Sequence, residues 1–165
     1  MAISDDLKQL AVQEQRLRFS RFDEETAWEI GSRLRAIADA RKLPIVIDIR
    51  LNGRQLFYSA LSGSTPDNPE WVRRKSNVVL RYLKSSYRFG RELAAKNDTL
   101  DQQRGVSPMD YAAHGGSFPI HAKGAGIIGT ITVSGLPQRE DHNLVVEVVA
   151  AFLAQPLDGL ALGPE

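Results

Sequence analysis

The stretch Tyr111–His142, YAAHGGSFPIHAKGAGIIGTITVSGLPQREDH, decides how this chain folds. Ser117 to His121 and Ile127 to Ser134 read as strands, the second almost entirely β-branched, joined by the turn Lys123-Gly124-Ala125-Gly126. After Gly135-Leu136-Pro137 the apolar period lengthens: Leu144, Val145, Val148, Val149, Phe152 and Leu153 recur at helical spacing. Glu140 and Asp141 then fall in the first turn, where the helix dipole favours acids. Strand, tight turn, strand and helix in this order predict an antiparallel pair with a helix packed on it.

Gly124-Ala125-Gly126-Ile127-Ile128-Gly129 also has the spacing G-x-G-x-x-G of dinucleotide-binding turns. That motif needs a helix to open at the glycines and offer its amides to phosphate. Here a β-branched run follows, so the glycines are read as a β-turn.

Outward from this stretch the periods alternate in the same way. Ser4 before Asp5, Asp6, Leu7, Leu10 and Ala11 predicts a first helix to about Glu14, and Leu17, Phe19 and Phe22 form an extended link. Asp23 caps a second helix with the face Ala27, Ile30, Leu34 and Ile37, which ends at Leu43-Pro44. Ile45, Ile47, Ile49 and Leu51 share one strand face with Val46, Asp48 and Arg50 on the other, and Asn52-Gly53 turns into a second strand, Arg54 to Ala60. Pro69 opens a helix carrying Trp71, Val72, Val78, Val79 and Tyr82, which Ser85-Ser86 and Gly90 bend or divide. Asp98 to Pro108 reads as an exposed connection.

The expected class is α/β in the broad sense, more narrowly α+β: a central, mainly antiparallel sheet with helices packed on its faces. No repeat or linker divides residues 1–165, so a single domain is expected, with its ordered core over about 4–155 and a loose tail over 156–165.

With 42% hydrophobic and 25% charged residues the chain is neither disordered nor fibrous in composition. Its net charge of +1, from 21 basic and 20 acidic residues, excludes a global field toward nucleic acid or an anionic membrane. The longest apolar runs fall far short of the roughly 20 residues that cross a bilayer. The absence of cysteine rules out disulfides, thiolate nucleophiles and thiolate metal sites. Together with a start, MAISDDLKQL, that lacks a cationic segment before an apolar core, it points to the cytoplasm.

Candidate chemistry collects in a few places. His114-Gly115-Gly116 places an imidazole beside two glycines, whose backbone could leave amides open to an anion or a flat ligand; the plain alternative is a tight turn with a solvent-facing histidine. Arg73, Arg74 and Lys75 beside Trp71 are the best candidates for holding a small anion. They belong to a segment, Glu70 to Lys96, with eight basic and two acidic residues, whose charge could equally meet acidic surface within the fold or across a subunit contact. RNA binding is disfavoured, since no nucleic-acid module or stacking platform accompanies the charge. Asp48, an acid in an apolar strand, is either a hydrogen-bonded structural group or part of a site. The three histidines form no metal-ligand spacing, so no metal site is expected, although a single-histidine axial ligand for heme is compatible with the sequence.

Asp23 to Gly31 (DEETAWEIG), Leu43 to Gly53 (LPIVIDIRLNG), Pro66 to Val79 (PDNPEWVRRKSNVV) and Ala112 to His142, with its HGGSFPI and GTITVSGLPQREDH segments, together resemble the short proteins of the heme-degrading-domain, GlcG/HbpS-like family. The resemblance runs from about Leu17 to Leu153. It implies a profilin-like α/β domain, a homo-oligomer and heme handling, and it carries over no catalytic residue. Three functions follow as expectations: binding of heme or another small planar or anionic ligand near His114; a non-catalytic assembly or accessory protein; and an enzyme acting on a small organic acid, with Asp48 or His114 moving the proton.

Overall fold

The hairpin and the Tyr111–His142 stretch build one sheet. In the computed structural model, which describes residues 2–100 and 105–165, β1 (Val46–Leu51), β2 (Arg54–Ala60), β3 (Ser117–Ala122) and β4 (Gly126–Ser134) pair antiparallel in the order β2-β1-β4-β3. Asn52 and Gly53 take the positive φ values, 50° and 77°, that a tight primed hairpin turn requires. Gly124 and Gly126 do the same between β3 and β4 (φ 81° and 77°), and no helix opens there. Around the sheet lie α1 (Ile3–Arg16), α2 (Glu24–Arg41), α3 (Asp67–Tyr82), α4 (Ser86–Ala95) and α5 (Gln138–Phe152), an α+β architecture.

The strands' alternation sets what each face covers. Ile47, Ile49, Ile131, Val133, Phe118 and Ile120 pack with Ala27, Ile30 and Leu34 of α2 and with Val145, Val148 and Val149 of α5 in the main core. The opposite face is unusual in being buried yet polar: Asp48, Ser117, Thr130, Thr132 and Ser134 lie there, with α3 across β4 and β3. Asp23 caps α2 as expected, its carboxylate accepting from Thr26 N at 2.9 Å. At the open edge of the sheet Gly31 leaves room for the Phe57 ring, which meets the 68% exposed Trp28 edge-on at 5.8 Å.

α1 is held chiefly by polar groups. Asp6, fully buried, pairs with Arg139 and Arg91 at 2.9 Å each, while Leu10 packs with Tyr87 and Leu162, and Val12 packs against the main core. The chain's last residues join this contact, which corrects the expectation of a loose tail. Leu160 and Leu162 are buried, and Gly163 O accepts from Arg139 Nε at 3.0 Å. Val106 is likewise buried within the connection expected to be exposed, of which residues 101–104 lie outside the described residues.

His142 completes the α1 contact and titrates accordingly. Gln13 spends its amide hydrogen on Leu160 O (2.7 Å), so the oxygen 2.8 Å from His142 Nε2 must accept, and Nδ1 is left unprotonated and without a partner. Burial, then the charge of Arg139, pushes the His142 pKa down from 6.5 to about 3. The unfolded chain therefore takes up this proton first. The stability that the neutral ring confers is complete above pH 6.5 and drains as pH falls toward 3, by at most about 1.4 kcal/mol per pH unit. Urea unfolding of the wild type and of His142→Gln between neutral and mildly acidic pH should show a steeper loss in the wild type; parallel profiles would remove His142 as the cause.

Candidate functional site

The segment before β3 is stitched to α3 and α4. Ala112 N donates to Arg74 O (3.2 Å), Asn77 Nδ2 to Asp110 O (2.8 Å), and Arg73 to Asp110 Oδ1 and Met109 O (3.0 and 2.9 Å). Gly90 of α4 lets Ala113 O approach to where a β-carbon would lie. These contacts set His114 against Trp71, with ring centroids 5.1 Å apart and planes at 74°. Trp71 is itself anchored, through Nε1 to Asp67 Oδ2 at 3.0 Å.

The Trp71–His114 pair is the wall between two adjoining recesses. One, of about 270 Å³, is the more polar: Asn68, Lys75, Ser134, Gln138 and Asp141 line it with Leu136 beside the pair. The other, of about 370 Å³, is mostly apolar, with Leu93, Leu100, Pro108, Tyr111 and Ala112. Arg74 joins this second recess, its guanidinium 4.2 Å over the Trp71 ring.

At the base of the polar recess Lys75 Nζ and Asp141 Oδ2 form an ion pair of 3.0 Å, their side chains only 4% and 1% exposed. Lys75 also donates to Val133 O (3.2 Å), while Asp141 accepts from Leu136 N (2.9 Å) and Gly135 N (3.4 Å). Burial lowers the ammonium pKa and raises that of the carboxyl, so at both ends desolvation outweighs the pair's attraction. His114 is lowered too, first by partial desolvation and then by Lys75 and Arg74, so its exposed ring is neutral at pH 7.

The structure brings Trp71, Arg74, Lys75 and His114 together and leaves the other candidates elsewhere. Arg73 points outward to Glu70 and Asp110. Asp48 lines neither recess: it is buried and accepts from Arg50 Nε (3.1 Å) and Gln55 Nε2 (2.7 Å), the structural reading of that acid. Gly115 and Gly116 correct the expectation of open amides. Both are buried, Gly115 N donates to Gln138 Oε1 (3.1 Å), and the pair is glycine because Gln138 O and Val133 O pass within 2.3 Å of any added β-carbon.

The basic excess of Glu70 to Lys96 is largely met inside the fold. Arg88 pairs with Glu14, Arg91 with Asp6, Lys84 with Glu92 and Lys75 with Asp141. Sequence reasoning missed Asn68, Gln138 and the role of Asp141. One signal was available: Lys75 sits in the Val72–Val79 stripe, and a lysine on a buried helix face requires an acid. Among the described residues no three His, Asp or Glu side chains are arranged to hold a metal ion, and no helix is long and apolar enough to cross a membrane.

A family model for haem degrading proteins of HbpS-like type matches residues 22–150. The chain belongs to the HbpS-like family. This HbpS-like chain is 56% identical over 162 residues to a UPF0303 protein of Rhizobium meliloti (strain 1021), covering 98% of the chain and 99% of that relative. The solved structure of the Ybr137w protein is similar at 32% identity and a TM-score of 0.81, over 90% of this chain and 87% of that one. The solved PduOC:Heme complex aligns at 15% identity with a TM-score of 0.62, over 75% of this chain and 90% of that one, a similarity of fold alone.

Proposed function

We propose that this protein binds a flat, carboxylate-bearing ligand of the haem class in the apolar recess, with His114 as the side chain facing it. The observation that carries this reading is the edge-on Trp71–His114 pair, a neutral imidazole held at the rim of an apolar hollow whose wall also carries Arg74. Membership of the HbpS-like family supports it, as does the haem held by the fold-related PduOC protein.

The residues fit haem in kind. A single imidazole suffices as a protein ligand to haem iron; Leu93, Leu100 and Tyr111 offer apolar surface, and Arg74 suits a propionate. The recess of about 370 Å³ lies near the low end of the volumes that enclose a drug-sized ligand, roughly 300–1,000 Å³. A macrocycle there would keep an edge in solvent. Bound haem would supply a redox-active iron. The chain would keep the His114 ring unprotonated, fix it against Trp71 and shield one face of the ligand from water.

Titration of the purified protein with hemin should give a saturable Soret change at micromolar concentration. His114→Ala should weaken it about tenfold or more, which corresponds to ~1.4 kcal/mol, with the circular dichroism unchanged. Hemin that fails to saturate, or that binds His114→Ala equally well, overturns the reading.

A further inference from the structure

In the polar recess each side-chain carbonyl and carboxylate oxygen already accepts a hydrogen bond, while several nitrogen-bound hydrogens have no partner. Asn68 Oδ1 accepts from Thr65 N (2.8 Å), Gln138 Oε1 from Gly115 N (3.1 Å), Asp141 Oδ1 from Leu136 N (2.9 Å) and Asp141 Oδ2 from Lys75 Nζ (3.0 Å). Both amide orientations are fixed, because a backbone N–H can be met only by the side-chain oxygen. Gln138 Nε2 consequently keeps both hydrogens free among the described residues, and Asn68 Nδ2 keeps one beyond its bond to Ser134 Oγ (3.2 Å). Lys75 Nζ, with two partners, retains a third hydrogen.

Charge points the same way. Asp141 balances Lys75 at the base of the recess, and the Arg74 guanidinium, 4.2 Å over the Trp71 ring, adds a positive charge at the wall. The recess, about 270 Å³, has room for a small molecule, and Trp71 gives it one flat apolar side.

We propose that the polar recess is a second binding site, for a small free carboxylic acid, whose carboxylate is received by the amide hydrogens of Gln138 and Asn68 and the open hydrogen of Lys75. A carboxylate, which only accepts hydrogen bonds at neutral pH, suits these three donors. The site is independent of haem-class binding, since it lies on the other side of the Trp71–His114 wall.

The full chain, labelled with 15N, can be titrated with sodium acetate and with malonate at constant ionic strength, chloride serving as the control anion. Saturable shifts are expected at the Gln138 and Asn68 side-chain amides and at the Gly115 and Leu136 backbone amides. Gln138→Glu and Asn68→Asp keep an oxygen for Gly115 N and Thr65 N but replace the donor with a like charge. Each should weaken binding about tenfold or more, the effect of losing a hydrogen bond to a charged group. Their hemin titrations should match the wild type.

No saturation by about 50 mM acid, where even a millimolar site would fill, overturns the proposal. So does equal binding by the wild type and both variants. A hemin midpoint displaced by saturating malonate would overturn the claim of a separate site. Failure of hemin to bind with the carboxylate shifts intact would leave this site standing and remove only the haem reading.

Discussion

Replacing Asp141 by asparagine is expected to cost about 3–5 kcal/mol, because it strands a buried ammonium without its counter-ion. The cost arises from placement: the Lys75 side chain is 4% exposed, and its remaining acceptor is one backbone carbonyl, Val133 O. At ~2–4 °C per kcal/mol for a chain of this size, the melting temperature should fall by roughly 6–20 °C. The double variant Lys75→Met, Asp141→Asn should regain part of the loss, since the buried ammonium is gone and the asparagine oxygen can still accept from Leu136 N. A single-variant loss below about 1 kcal/mol, the size of a surface pair, would show that water reaches Lys75 freely.

Gly116→Ala is expected to be comparably damaging. Gly116 has φ +135°, and an alanine β-carbon would lie 2.3 Å from Val133 O, 2.7 Å from Lys75 Nζ and 3.2 Å from the Asp141 β-carbon. The nearest neighbour is backbone and cannot swing aside, since Val133 N is itself bonded to Gly116 O at 2.9 Å. Backbone strain and displacement of β4 together should cost about 3 kcal/mol or more. Gly124→Ala separates the two causes: φ is +81° there, but nothing lies within 4 Å of the added carbon, so only the ~1–2 kcal/mol of left-handed backbone remains. Equal losses at the two glycines in chemical denaturation would show that the close approach contributes nothing.

Much of the fold was legible because the hydrophobic period is local. Ile45, Ile47, Ile49 and Leu51 announce a strand, Asn52-Gly53 its turn, and the β-branched run before Gly135 the central partner, all where the structure has them. The polar second face was harder to foresee. Thr130, Thr132, Ser134 and Ser117 could as well have faced solvent, and only the passage of α3 over them buries the strip. Trp71, Arg74, Lys75 and His114, singled out by chemistry that is distinctive in sequence, lie together at the two recesses, whereas Asp48 and Arg73 shared that chemistry and lie elsewhere. Asn68 and Gln138 carry no such mark. They matter through Thr65 N and Gly115 N, which fix their amides and leave hydrogens facing the recess. The tail was misread because Leu160 and Leu162 dock on α1 and α5, at a distance in sequence that no periodicity spans.

The sheet is finished on one side only. Beyond β3, Phe19 N and O bond to His121 O and Lys123 N, and the Ser86 hydroxyl meets Ser117 N, so that margin is closed at both ends. Beyond β2 no strand follows among the described residues, and its outer amides and carbonyls run past the Trp28 indole. Of the two margins of the described sheet, the β2 edge beside the Trp28–Phe57 contact is thus the one left without a backbone neighbour.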